Sequence, residues 1–198
     1  MKKLSLLALS LVMASILVAC GKAPDAQIKQ ATNALQAAEA AGAPQYVPEA
    51  WNRAKEAVDR MKAELQAQDR RFSLFRNYGK VRTLAEQAIK LSEQALADAN
   101  SRKTQLRAEV TTELAQLDAS LASARSQLAR VPRSKGLDAA SLRSSLNAAG
   151  RQLDQARSRL AAGAPDSAMA VAAEARDAIN RVLRAIEKAT GLPASKKR

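Results

Sequence analysis

The sequence predicts an all-α protein in which two antiparallel three-helix bundles, packed like helical hairpins or coiled coils, share one long central helix. Aromatic residues make up only 3% of the 198 residues, whereas β-strands favour aromatic and β-branched side chains. The stretch from Tyr78 to Val131 contains no proline, and apolar residues recur along it at steps of three and four. A helix of about 50 residues is roughly 75 Å long, so we expect different helices to cover its two ends.

The first residues have the features of an export signal. Two lysines precede an apolar stretch, Leu4 to Val18, which is short for a transmembrane span. The stretch leads into Leu17-Val18-Ala19-Cys20, which resembles the lipobox of bacterial lipoproteins, and Cys20 is the only cysteine of the chain. The resemblance implies that residues 1–19 are a signal peptide and that Cys20 carries palmitate or similar acyl chains, followed by a tether at residues 20–24.

Two other interpretations of Cys20 stay open, namely a chance cysteine after an ordinary signal peptide and a cysteine of the core. The lipobox implies a location in the cell envelope of a Gram-negative bacterium. By resemblance to enteric lipoprotein sorting, in which Asp after the cysteine favours the inner membrane, Gly21 implies the inner leaflet of the outer membrane, facing the periplasm. Retention in the inner membrane is the alternative.

Residues 25–103 are predicted to form the N-terminal bundle. Its first helix begins near Asp25, whose side chain can cap it, and stops at Gly42-Ala43-Pro44. The second helix begins at Pro48, because proline suits the first position of a helix. A break from Asp69 to Asn77 then precedes the long helix. The apolar residues of this break, which we expect to fold back on the bundle, are Phe72, Leu74 and Phe75.

The turns of this half resemble those of a known family. Residues 41–51 read Ala-Gly-Ala-Pro-Gln-Tyr-Val-Pro-Glu-Ala-Trp, and residues 76–80 read Arg-Asn-Tyr-Gly-Lys before an alanine-rich helix. Together they resemble an uncharacterised helical domain-of-unknown-function family of envelope lipoproteins, over roughly residues 23–100. The resemblance implies a fold and an envelope location but no activity. We interpret Tyr46 and Trp51 as packing residues that hold the turn rather than as a ligand site.

Residues 104–190 are predicted to form the C-terminal bundle, and residues 191–198 a basic tail. Asp138 follows a loop and can cap the second helix of this bundle. A tight turn at residues 163–166 leads to the last helix, which ends at Gly191. A solenoid of helical-hairpin repeats is the competing architecture, and a weak likeness between the halves leaves duplication open.

The positive charge is concentrated in the C-terminal half of a chain whose formal net charge is +13. Residues 21–100 contain 12 Lys/Arg and 10 Asp/Glu, a net +2, whereas residues 101–198 contain 18 and 9, a net +9. Such a surplus suits either an acidic envelope polymer or a solvated surface that favours solubility. The candidate polymer-binding residues are Arg125, Arg130, Arg133, Lys135, Arg143, Arg151, Arg157 and Arg159.

The sequence offers no catalytic constellation. With no histidine and one cysteine, the chain cannot form a Cys–His pair, a Ser–His–Asp triad or a His–Cys zinc site by itself. We therefore expect no enzyme, cofactor, metal, nucleic acid or small-molecule substrate. The expected function is that of a membrane-anchored periplasmic scaffold, spacer or adaptor that contacts other envelope proteins. The alternative is a protein that binds peptidoglycan or lipopolysaccharide through its basic C-terminal half.

Overall fold

The computed structural model describes residues 22–132 and 137–191, and every regular element in these ranges is helical, which confirms the all-α class. A 3₁₀ turn, Ser73–Phe75, lies between the third and fourth helices. The predicted signal peptide with Cys20, and the tail after Gly191, lie outside the described residues. The helices are α1 (Asp25–Ala40), α2 (Ala43–Tyr46), α3 (Pro48–Asp69), α4 (Gly79–Arg130), α5 (Ala139–Ala161) and α6 (Pro165–Thr190).

The predicted long helix is present as α4, which contains 52 residues. The chain divides into two compact units, and the boundary between Arg102 and Lys103 falls inside this helix. The first unit therefore contains α1 to α3 and the first part of α4. The second unit contains the rest of α4 together with α5 and α6.

Alanine supplies most of the core of the first unit. Helices can approach closely where the facing side chains are small, because interaxial distance depends on the side chains at the contact. Only one aromatic residue of this unit, Tyr78, is counted among its buried core residues, at 3% exposure. The fully buried alanines of the unit, at 0–1% exposure, are Ala31, Ala38, Ala43, Ala54, Ala57, Ala85, Ala88, Ala95 and Ala99.

The turn between α1 and α3 is more structured than the sequence suggested. Gly42 adopts a left-handed conformation with φ of 87°, and the short helix α2 follows it. A Cβ atom on Gly42 would lie 2.9 Å from ring carbons of Tyr46, so the ring packs on the glycine. Tyr46 and Trp51 are half-buried against the alanine cluster at this end, as the packing interpretation predicted.

Asp25 does not cap α1, contrary to the prediction from the sequence. It is the first residue of α1 rather than the residue before it, and no side-chain hydrogen bond caps this helix. Its carboxylate still lies in the first turn, where negative charge is favourable to the helix dipole. Pro24 occupies the capping position instead, and proline has no hydroxyl or carboxylate with which to accept such a bond.

The second unit has a core of larger aliphatic residues contributed by α4, α5 and α6. Asp138 caps α5 as predicted, since its Oδ1 accepts a hydrogen bond from the amide of Ser141 at 3.1 Å. Gly191 ends α6 in a left-handed conformation with φ of 70°. The buried Leu, Val and Ile residues are Leu106, Val110, Leu114, Leu117, Leu121, Leu128, Leu146, Leu153, Val171, Ile179, Val182 and Ile186.

Candidate functional site

Residues 70–78, which join α3 to α4 and are here named the apolar loop, expose three large apolar side chains. The exposed fractions are 68% for Phe72, 82% for Leu74 and 73% for Phe75. Within residues 22–132 and 137–191, no other large hydrophobic side chain is classed as exposed. The prediction that these residues fold back on the bundle is therefore wrong, and the position nearest the core is taken by Tyr78 instead.

Hydrogen bonds to the Arg76 side chain hold the apolar loop to the end of α3. Its Nε donates to the backbone carbonyl of Arg71 at 3.0 Å, and its Nη2 donates to the carbonyl of Asp69 at 2.9 Å. The amide of Phe75 donates to the carbonyl of Phe72 at 2.8 Å and closes the 3₁₀ turn. The backbone that carries the exposed side chains is therefore held by hydrogen bonds within the protein.

A buried amide side chain at the end of α3 also binds the apolar loop. Gln68 is 4% exposed, and its Oε1 accepts a hydrogen bond from the amide of Asn77 at 3.0 Å. The Asn77 side chain in turn accepts from the amide of Gly79 at 2.9 Å, at the start of α4. These bonds join the last turn of α3 to the first residue of α4 through Asn77, so the loop between the two helices has a defined path.

The Tyr78 hydroxyl completes the hydrogen bonds between the loop and α3. It donates to Oδ1 of Asp69 at 2.8 Å, while the ring of Tyr78 packs in the core beside Met61 and Val81. The hydrogen bond to the carboxylate, and then burial, raise the pKa of Tyr78 above its usual range. The hydroxyl therefore stays protonated and able to donate at neutral pH.

An ion pair fixes the first turn of α4 to α3. Nζ of Lys80 lies 2.7 Å from Oε2 of Glu64, whose Oε1 accepts a hydrogen bond from Gln68 at 2.8 Å. The hydrogen bond from Lys80, followed by that from Gln68, holds the pKa of the Glu64 carboxyl below its usual range. Glu64 is therefore ionised at neutral pH and links the lysine to the buried amide.

The sequence of the apolar loop and of the start of α4 is rich in basic residues, although residues 21–100 have a net charge of only +2. Five of the 12 Lys/Arg residues between positions 21 and 100 lie within residues 70–82, and no acidic residue occurs between Asp69 and Glu86. Two of the five, Arg70 and Arg71, are exposed and directly precede Phe72. The five basic residues are Arg70, Arg71, Arg76, Lys80 and Arg82.

The apolar loop lies at the end of the first unit where α1 begins. Ala23, two residues before α1, packs against the same buried cluster as Tyr78, and Leu65 from the end of α3 packs there too. Tyr46 and Ala99 belong to a separate cluster with the turn that follows α1. The start of the described chain and the exposed apolar side chains therefore share one end of this unit.

The structure brings four of the eight predicted polymer-binding residues to one surface of the second unit. Arg125, Arg151 and Arg157 line a groove of about 340 Å³ between α4 and α5, and Arg143 lines an adjoining groove with Arg125. Gly150 makes room for the Arg125 side chain, because a Cβ there would lie 3.3 Å from its Nη2.

Acidic residues share this groove and reduce its positive charge. Arg157 is paired with Asp118 of α4, and its Nη1 lies 2.7 Å from Oδ1 of Asp154. The hydrogen bond with Asp118 is the main reason that the pKa of Arg157 is raised. The groove is therefore of mixed charge, with Arg125 and Arg151 as its exposed cations beside this network.

Two of the other four predicted residues are described, and neither of them lines this groove. Arg130, the last residue of α4, and Arg159 do not line it, and Arg133 and Lys135 lie outside the described residues. Arg159 lies two turns after Gln152, on the flank where Gln152 contacts Glu174 of α6 at 3.1 Å. In the second unit, residues 103–132 and 137–191 contain 12 Lys/Arg and 9 Asp/Glu, a net +3.

Within residues 22–132 and 137–191, no group of three or more His, Cys, Asp or Glu side chains is arranged to hold a metal ion. No helix in the described part of the chain is both long and apolar enough to cross a membrane.

Residues 26–111 match the model of a family described as a domain of unknown function (DUF4398). The matched region runs from α1 into α4 and contains the whole apolar loop. It includes the two turns on which the resemblance to an uncharacterised family was based. Neither the curated proteins nor the solved structures include a match to this chain.

The ion pair between Glu64 and Lys80 generates a prediction about acid stability. Because the pKa of Glu64 is lowered in the folded protein, its contribution to stability is present above the ordinary carboxyl pKa and is lost as the pH falls through the lowered value. Glu64→Gln should therefore be less stable than the parent near pH 7, with the difference shrinking towards pH 3.

Urea unfolding at both pH values measures this difference. Glu56→Gln, an exposed residue of the same helix, removes the same charge and should follow the parent at both pH values. If Glu64→Gln lowered the free energy of unfolding by the same amount at pH 3 as at pH 7, the ion pair would not be the cause of the loss.

Proposed function

We propose that this protein is a lipid-anchored protein of the cell envelope with a non-catalytic scaffold, spacer or adaptor role. The observation that carries the proposal is Cys20, the only cysteine, at the end of an apolar run with small residues before it. The first described helix begins five residues later, at Asp25, so folded structure starts close to the proposed anchor.

The proposed anchor is chemically sufficient for stable attachment. Each buried methylene adds about 0.8 kcal/mol of membrane affinity, and two or more acyl chains anchor a protein stably where one does not. A diacylglyceryl group joined to the Cys20 thiol as a thioether, together with acylation of its amine after cleavage, would supply three acyl chains, as the lipobox resemblance implies. Gly21 favours the outer membrane on the same resemblance.

The surface chemistry supports a structural rather than a catalytic role. A catalytic pair of carboxylates needs the two groups to converge in a pocket, with the pKa of one of them raised. Among the described residues, Glu64, Asp118 and Glu113 each pair with a lysine or an arginine instead, and Oε1 of Glu113 in α4 lies 3.3 Å from Nη1 of Arg176 in α6. Such pairs are typical of a folded helical surface, and a surface of this kind suits contacts with other proteins.

Cys20→Ser should abolish incorporation of labelled palmitate in cells, because the serine hydroxyl cannot take the thioether-linked lipid. Gly21→Asp is the matched control, since it leaves the cysteine in place and should retain the label while shifting the protein towards the inner membrane. Palmitate labelling followed by membrane fractionation measures both. Undiminished label on Cys20→Ser would overturn the anchor.

A second candidate function is binding of an anionic envelope polymer, favoured by exposed Arg125, Arg143 and Arg151 along the grooves of α4 and α5. Attraction between exposed charges is screened within about 8 Å at physiological salt, so binding should be salt-sensitive. At low salt, changing these three residues to Gln should reduce co-sedimentation of the protein with peptidoglycan several-fold.

Three exposed cations of α6, Arg181, Arg184 and Lys188, provide the control with the same loss of charge. Their replacement by Gln should reduce co-sedimentation less than replacement of the groove residues. Equal losses in the two variants, or no sedimentation of the parent, would rule out the grooves as a polymer site.

A further inference from the structure

The distribution of aromatic residues between core and surface is unusual. The chain has two Phe, two Tyr and one Trp, and both Phe residues lie exposed in the apolar loop. A buried aromatic side chain removes about 150–250 Å² of surface from water and is a main source of core stability. Apart from Tyr78, the buried core of the described residues is made of smaller side chains, while both Phe residues are in contact with solvent.

The exposure is a property of the folded loop. The side chain of Arg76 binds two backbone carbonyls, Gln68 binds the amide of Asn77, and Tyr78 binds Asp69. With the backbone held at these points, the Phe rings cannot reach the core, which is filled by Tyr78. The two rings instead lie beside each other, with centroids 6.4 Å apart and planes tilted by 48°.

We propose that the apolar loop is a membrane-contact site, in which Phe72, Leu74 and Phe75 enter the interface of an anionic lipid bilayer and Arg70 and Arg71 bind lipid phosphates. Proteins that bind membranes peripherally combine apolar side chains that reach the boundary between headgroups and acyl chains with cations that face anionic lipids. The loop has both, because exposed Arg70 and Arg71 directly precede Phe72 and no acidic residue follows before Glu86.

The position of the loop adds a second argument, which rests on the proposed anchor. Cys20 precedes Pro24 by four residues, and four residues span at most about 14 Å. Ala23 packs on the same cluster as Tyr78, at the end of the first unit that carries the apolar loop. A lipid on Cys20 would therefore keep this end of the unit close to the bilayer surface, where three apolar side chains can insert.

A lipid surface fits the loop better than a protein partner does. Each partner in a stable protein interface buries about 800 Å². Three side chains on one short loop offer less apolar surface than that, and they are bordered by arginines. Insertion into a bilayer requires no matching surface, because lipids adapt to the side chains and supply phosphates to the cations.

Vesicle co-sedimentation of residues 20–198 with Cys20→Ser tests the site without the lipid anchor. This chain contains every helix described and should bind phosphatidylglycerol vesicles more strongly than phosphatidylcholine vesicles. Replacing Phe72, Leu74 and Phe75 with Ser should lower the bound fraction about tenfold without changing the melting temperature, since none of the three contributes to the core. Equal binding of parent and variant would overturn the proposal.

Variants that remove positive charge distinguish attraction of vesicles by the apolar loop from attraction by the net charge of the protein. Arg70→Gln with Arg71→Gln should weaken binding to phosphatidylglycerol several-fold. Arg53→Gln with Lys55→Gln removes the same charge from exposed positions of α3 and should leave binding near the parent value. Equal weakening by both pairs would mean that net charge, and not the loop, attracts the vesicles.

A fluorescence reporter gives an independent readout. Trp51→Phe with Phe75→Trp leaves one tryptophan, placed in the loop, and its emission should shift to the blue when phosphatidylglycerol vesicles are added. No shift, or no sedimentation of the parent, would overturn the membrane site and favour a protein partner. Because the tested chain lacks Cys20, its outcome is independent of palmitate labelling, and either proposal can fail while the other holds.

Discussion

Close packing through alanine is the constraint on which the first unit depends. Where α1, α3 and α4 meet, most fully buried positions are alanine, and the space between the helices leaves little room for larger side chains. Tyr78 is buried at one end of the unit, where its ring packs in the alanine-rich cluster and its hydroxyl donates a hydrogen bond to Asp69. The two Phe residues that follow α3 have no comparable position, and they remain outside.

The side chains that the alanine core does not accommodate are exposed in the apolar loop. Arg76, Gln68 and Tyr78 hold the backbone between α3 and α4, so the exposed side chains project from a bonded turn. The same end of the unit carries the start of α1, which follows the proposed acylation site by a few residues. A lipid anchor and an inserted loop would together hold the unit at two points, and two contacts restrict its orientation more than a single tether does.

Helix positions could be predicted from the sequence because apolar periodicity and the residues at helix ends are local signals. Pro48 begins α3, Asp138 caps α5 and Gly191 ends α6, as expected. The exposure of Phe72 and Phe75 could not be predicted, because hydrophobicity alone favours burial and no sequence pattern indicates the bonds of Arg76 to the carbonyls of Arg71 and Asp69. Arg125 and Arg151 were both candidate polymer-binding residues, but the acidic residues of their groove were not foreseen, since Asp118 is 39 positions away from Arg157.

Hydrogen exchange at the amide of Asn77 tests most directly whether the apolar loop is a fixed structure. This amide donates to Oε1 of buried Gln68 at 3.0 Å, so its protection reports the bond that holds the loop to α3. A fixed loop predicts exchange much slower than in an unfolded chain, and loss of that protection in Gln68→Ala while the amides in the middle of α3 stay protected. Exchange of the Asn77 amide at the unfolded rate in the parent protein would contradict it.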